Sequence, residues 1–168
     1  VLFGSQMAGY GTGEITLAKA VLANLRPGML CLADRNFFGF ELWNLARDSG
    51  ADLLWRIKKN LHLACDKRLP DGSYLSHIFP SKKDWRHKTN GVQIRVVDYC
   101  LDGVADAEPI YRLVTSILDP GKAPAHKLAA LYHERWEIET ALDELKTHLR
   151  GARIVLRSKT PDLVRQEF

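Results

Sequence analysis

The segment YHERWEIETALDELK carries a phenol (Tyr132), a guanidinium (Arg135), a carboxylate (Glu139) and an ammonium (Lys146). It reads as a helix. At about 100° per residue from Tyr132, Arg135 falls near 300°, Glu139 near 340° and Lys146 near 320°, all within an arc of roughly 60°. One carboxylate flanked by two cations suits a centre that holds a divalent metal and phosphate groups. The plain alternative is an i,i+4 Arg135–Glu139 pair on a solvated face, worth about 0.2–0.5 kcal/mol. Leu131, Ile138, Leu142, Leu145 and Leu149 fall between about 220° and 280°, a stripe expected to anchor the helix in a core. Glu134, Glu137, Asp143 and Glu144 lie mostly elsewhere and read as surface.

A second carboxylate, Asp34, closes the apolar run MLCLA (Met29–Ala33). A short continuous apolar run is typical of a buried central strand. An Asp at its end also suits a turn or a helix N-cap. Before it, VLFG reads as a strand remnant, and AGYGTGE as a glycine-rich turn without the Gly-Lys-Ser/Thr of a phosphate loop. Ile15, Leu17, Ala18, Val21, Leu22 and Leu25 recur at helical spacing until Arg26-Pro27-Gly28 stops them. After it, FFGFELWNLARDSG reads as a helix closed by Gly50, and DLLWRIK as a strand. Strands alternating with helices predict an α/β fold with a parallel sheet for residues 1–60.

Residues 61–120 change character. YLSHIF, VQIRVVDYCL and IYRLVTSIL are rich in β-branched and aromatic residues, punctuated by Asp71-Gly72, Asn90-Gly91 and Asp102-Gly103. They predict an antiparallel β insertion. Residues 121–168 return to helix, from His126 to about Leu149 with Gly151 as the stop. RIVLRS reads as extended, and Thr160-Pro161-Asp162 as a further helix start. Since VLFG resembles the middle or end of a strand, the chain reads as if it begins inside a larger protein.

The 168 residues, 46 % of them hydrophobic, suffice for one domain with a real core. No apolar run approaches the roughly 20 residues of a membrane span, and no signal-peptide pattern opens the chain. Cys31, Cys65 and Cys100 lie far apart, which fits reduced thiols and a cytoplasmic setting. The histidines lack zinc-site spacing. Net charge is +4. From Trp55 to Arg95 ten Lys/Arg face three Asp, a net +7 that leaves the remainder at −3 (4 − 7). Within that stretch KKDWRHK sets Trp85 among Lys82, Lys83, Arg86 and Lys88. An aromatic in a basic run suits stacking on an unpaired base, with lysines on the phosphate backbone. A Trp anchoring a hairpin among solvated lysines has the same local sequence.

The spacing Tyr-x2-Arg-x3-Glu-x6-Lys (Tyr132, Arg135, Glu139, Lys146) resembles the YREK signature of bacterial insertion-sequence DDE transposases. LCLADRNFFGFELW resembles the segment that carries that family's second catalytic Asp, with Asp34 in its place. Together the two cover nearly the whole chain. The resemblance implies an RNase H-like α/β core with a β insertion between the second Asp and the Glu helix. It implies Asp34 and Glu139 as catalytic ligands of a two-metal Mg²⁺ (or Mn²⁺) site. Water and then a DNA 3′-OH would be the attacking groups. It implies that Tyr132, Arg135 and Lys146 grip phosphates of the transposon end. DNA ends and target would be the partners, with a homodimer of the complete protein in the bacterial cytoplasm, at the nucleoid when bound to DNA. The family's first Asp belongs on an upstream strand, and no suitable Asp precedes Asp34. The expectation is therefore that this chain alone is inactive. A remnant that only binds DNA, and a nuclease of the same fold, stay open.

Overall fold

A computed structural model describes residue 9, residues 11–101 and residues 108–144, the last nine of these by backbone only. The helices are α1 (Glu14–Leu22), α2 (Phe40–Asp48), α3 (Lys82–His87) and α4 (Ala125–Glu144). The strands are β1 (Leu30–Ala33), β2 (Asp52–Ile57), β3 (Lys67–Arg68), β4 (Tyr74–Ile78), β5 (Val92–Tyr99) and β6 (Tyr111–Thr115). All six form one sheet in the order β1-β2-β6-β5-β4-β3. β1 and β2 are parallel, Leu30 opposite Asp52 through Ala33 opposite Trp55. Every other pairing is antiparallel. The β-rich stretch thus extends the sheet begun by β1 and β2. Its last strand, β6, lies directly against β2, with Leu54 opposite Thr115 and Ile57 opposite Arg112.

Alternation along the strands sorts the core into two layers. Leu53 and Trp55 of β2, Ile94 and Val96 of β5, and Val114 of β6 pack with Leu42, Trp43 and Ala46 of α2. The Trp43 and Trp55 rings meet edge to face, 5.2 Å between centroids. Leu54, Val97 and Leu113 pack on the opposite face with Leu128 and Tyr132 of α4. β2 is buried from Leu53 to Ile57, as a strand covered on both faces must be. Gly50 ends α2 with φ +80°, and a Cβ there would lie 2.9 Å from Pro27 Cγ. The α2 stop therefore needs glycine both for its conformation and for the close approach of the turn after α1.

Three local features differ from expectation. KKDWRHK, expected within β structure, forms α3. Ser81 caps it by accepting from the Asp84 amide at 3.1 Å, and Lys88 leaves it with φ 55°. β3 has two residues, too few to show any periodicity. On α4, Leu131, the member of the expected apolar stripe whose side chain is described, is turned away from the core. Leu131 is 38 % exposed, while Tyr132 is fully buried and Leu128 nearly so. Helical spacing fixes relative angles only, and the sheet has taken the Leu128–Tyr132 side. Of the signature residues, Tyr132 is thus buried against the sheet and Arg135 is part-buried beside it. VLFG, Asp102-Gly103, Leu145, Leu149, RIVLRS and Thr160-Pro161-Asp162 lie outside the described residues. Among the described residues, no helix is long and apolar enough to cross a membrane.

Candidate active site and nucleic-acid interface

Asp34 follows the last residue of β1, at the carboxyl end of the parallel pair. Open α/β sheets present ligand sites at these ends. By strand alternation it shares a face with Leu32, which packs into the layer under α4. Two residues of α4 meet it there. The Tyr132 hydroxyl donates to the Ala33 carbonyl at 3.1 Å, tying helix to strand one residue before Asp34. Arg135, one turn further on, places Nη2 4.0 Å from Asp34 Oδ1, with side chains 18 % and 31 % exposed. Its guanidinium also lies over the Tyr132 ring, 5.1 Å from the centroid.

Tyr132 therefore has an inward task. The hydroxyl expected on a phosphate is buried here and donates to Ala33. Burial pushes its phenol up to about 12; Asp34 adds to the rise, while Arg135 and Arg56 oppose it. At neutral pH it is a neutral donor. The α4 backbone continues through Glu139, four residues past Arg135 and seven past Tyr132, positions that share one helix face. The side chain of Glu139, and all of Lys146, lie outside the described residues. Among the described residues, no group of three or more His, Cys, Asp or Glu is placed to hold a metal ion. Asp34 is a half-buried carboxylate whose described contact with Arg135 is long, so it retains oxygen positions of the kind Mg²⁺ prefers.

The sheet brings a second charged group to the same end. Arg56 of β2 donates to Glu108 Oε1 at 2.7 Å, and Arg35, next to Asp34, donates to the same oxygen at 3.1 Å. Arg56 lies over the Tyr111 ring at 4.8 Å, and Tyr111 stacks on Tyr99 at 5.2 Å. The Glu108 amide donates to the Tyr111 hydroxyl at 3.1 Å. Sequence reasoning missed this cluster. Its one available signal was Arg56 itself, a cation in the otherwise apolar run of DLLWRI, which requires a buried anion beside it.

Trp85 lies apart from Asp34, on α3, 53 % exposed, with Lys88 Nζ 5.3 Å from its ring centroid. Lys82 and Lys83 are exposed in the first turn of α3. Four clefts link the two regions. The first, lined by Asp34, Asn36 and Arg135, shares Asn36 with a second that holds Arg35 and Lys58. The second shares Phe38 and Leu61 with a third, bordered by Lys82 and Trp85. The third shares His77, Phe79 and Trp85 with a fourth that reaches Lys88. Neighbouring clefts thus share lining residues in turn between the β1 end and α3.

Residues 8–168 match the family model described as Transposase DDE domain, and the chain belongs to that family. Domains of this family generally depend on divalent metal ions. The chain is also similar to the Escherichia coli (strain K12) protein described as transposase InsG for insertion sequence element IS4. Identity is 29 %, over 96 % of this chain and 37 % of that relative. The chain therefore spans little more than a third of the length of that relative.

Proposed function

We propose that this chain carries part of the catalytic core of an insertion-sequence transposase of the YREK type, which cleaves DNA strands and joins their 3′ ends to a target. The observation that carries the reading is the meeting of Asp34 with Arg135, from segments 101 residues apart (135 − 34), beneath a Tyr132 hydroxyl that anchors the helix to the strand. That arrangement is consistent with an RNase H-like core. Asp34 and Glu139 are the residues that would hold divalent ions. Such ions, when bound, supply positive charge to the attacking and leaving oxygens of phosphoryl transfer.

The chain's own residues have separable tasks in this reading. Tyr132 positions the β1 end. Arg135 orients the Asp34 carboxylate and offers donors to a phosphate. Lys146 adds a point charge further along the helix. A DNA strand would pass the clefts between Asp34 and α3, with Trp85 stacking on an unpaired base and Lys82 and Lys83 holding the backbone. The complete protein would act as a homodimer on paired ends, in the cytoplasm and at the nucleoid.

In the complete protein, Glu139→Gln is expected to abolish Mg²⁺-dependent nicking of an end-bearing duplex while leaving the circular dichroism spectrum and melting temperature unchanged. Nicking at the wild-type rate would remove Glu139 from the chemistry. Salt-dependent DNA binding with no cleavage by the wild-type protein in Mg²⁺ or Mn²⁺ would favour a remnant that only binds.

A further inference from the structure

We propose that Arg35 and Arg56 form a seat for a DNA phosphate beside Asp34, and that Glu108 occupies the seat until DNA displaces it. The inference rests on the DNA reading above and adds an internal competitor to it. Arg35 and Arg56 both donate to one oxygen, Oε1 of Glu108. Both guanidiniums are thus turned toward one anionic position. A phosphodiester also offers two anionic oxygens and can take that position with charge-assisted bonds to both.

Burial sets the form of the switch. The Arg56 side chain is almost wholly buried, whereas those of Arg35 and Glu108 are part-exposed. Leaving a buried guanidinium short of an anion is costly, so exchange of Glu108 for another anion is favoured over its simple departure. The Glu108 backbone is already fixed through its amide to Tyr111, so only its side chain need swing away. One further donor is at hand. The Tyr99 hydroxyl is buried with no hydrogen-bond partner among the described residues, and its ring stacks on the same Tyr111 that Arg56 covers. Arg35, which holds Glu108, follows Asp34 directly in the chain, so the seat adjoins the Asp34–Arg135 pair.

The test is binding of a short labelled duplex of arbitrary sequence, without metal, by the 168-residue chain, Glu108→Gln and Arg35→Gln across a salt series. Glu108→Gln is expected to bind roughly tenfold tighter, because a like charge has left the phosphate position. Arg35→Gln is expected to bind more weakly, with a salt slope smaller by about 0.9. Glu108→Gln binding no tighter than wild type overturns the proposal. If that variant fails to fold, Arg35→Gln decides, since Arg35 is only part-buried: a wild-type affinity and slope overturn the seat whatever Glu108 does. Binding by the wild-type chain with either of those results removes the seat alone. No binding by any of the three chains removes the DNA reading of this chain and the seat with it.

Discussion

At the scale of single residues, Tyr132 joins the two halves of the site. Its hydroxyl is the described bond from α4 to the β1 end, and its ring carries the Arg135 guanidinium. Tyr132→Phe keeps the ring and removes the hydroxyl. Equilibrium unfolding in urea should show a loss of about 1 kcal/mol, the usual net value of such a bond. The alkaline limb gives a second readout. A phenol held near 12 in the native state and near 10 when unfolded favours the native state below pH 10. That contribution is lost as pH rises from 10 to 12, because the unfolded chain releases its proton first. Wild type should therefore lose more stability than Tyr132→Phe over that interval. Parallel losses would mean that the phenol is not held as described. The importance of Tyr132 is legible in the sequence because its spacing to Arg135 and Glu139 is local to one helix. Its direction is not legible. A wheel cannot say which arc meets the sheet, so Leu131 was expected inward and Tyr132 at the polar edge. Arg35, Arg56 and Glu108 left still less trace, because strand register, not spacing, brings residues 52 apart to one oxygen.

At the scale of elements, α4 is held where it starts. Arg95 of β5 is fully buried. It pairs with Asp71 in the β3–β4 turn, donates to Ser73 Oγ at 2.8 Å and to the Ala123 carbonyl at 2.7 Å. Asp71 Oδ2 also accepts the Ala125 amide at 2.8 Å, at the first residue of α4. One ion pair thus joins a turn, a central strand and the helix that carries Tyr132 and Arg135. Burial works against the Asp71 charge, yet the Ser73 hydroxyl, the Ala125 and Ser73 amides and Arg95 together hold its carboxyl below the usual range. Its stabilisation is complete above the ordinary carboxylate pKa near 4 and is lost as pH falls through the lower native value. Asp71→Asn leaves a buried guanidinium without its anion, expected to cost about 3–5 kcal/mol at neutral pH. The variant should also lose less further stability than wild type between neutral pH and pH 3. Identical acid dependence in the two proteins would show that Asp71 does not carry that linkage. In the sequence Asp71 looked like half of an ordinary Asp-Gly turn, and only the sheet gives it Arg95.

At the scale of the whole molecule, part of the basic charge borders the clefts. Of the ten Lys/Arg between Trp55 and Arg95, Lys58, Lys82 and Lys88 line the clefts between Asp34 and α3, whereas Arg56 and Arg95 are buried in ion pairs. On the proposed DNA reading, a duplex would meet the basic rim as a surface, whereas a single strand would enter the clefts and present a base to the exposed indole. The two modes separate on Trp85→Ala. Loss of a stacking platform costs about 1–3 kcal/mol in single-strand binding. The salt slope should stay unchanged, because no phosphate contact has been removed. Duplex binding should change little. Trp85→Phe should restore most of the single-strand affinity, since a smaller ring still stacks. The competing view is that Trp85 serves the fold, resting against Lys88 and bordering the Phe79 cleft. In that case Trp85→Ala lowers the melting temperature and leaves single-strand and duplex affinities in their original ratio. Fluorescence titrations of the three proteins with an oligonucleotide and its duplex would separate the views: a shifted ratio places a base on Trp85, and a constant ratio with lost stability returns the residue to packing.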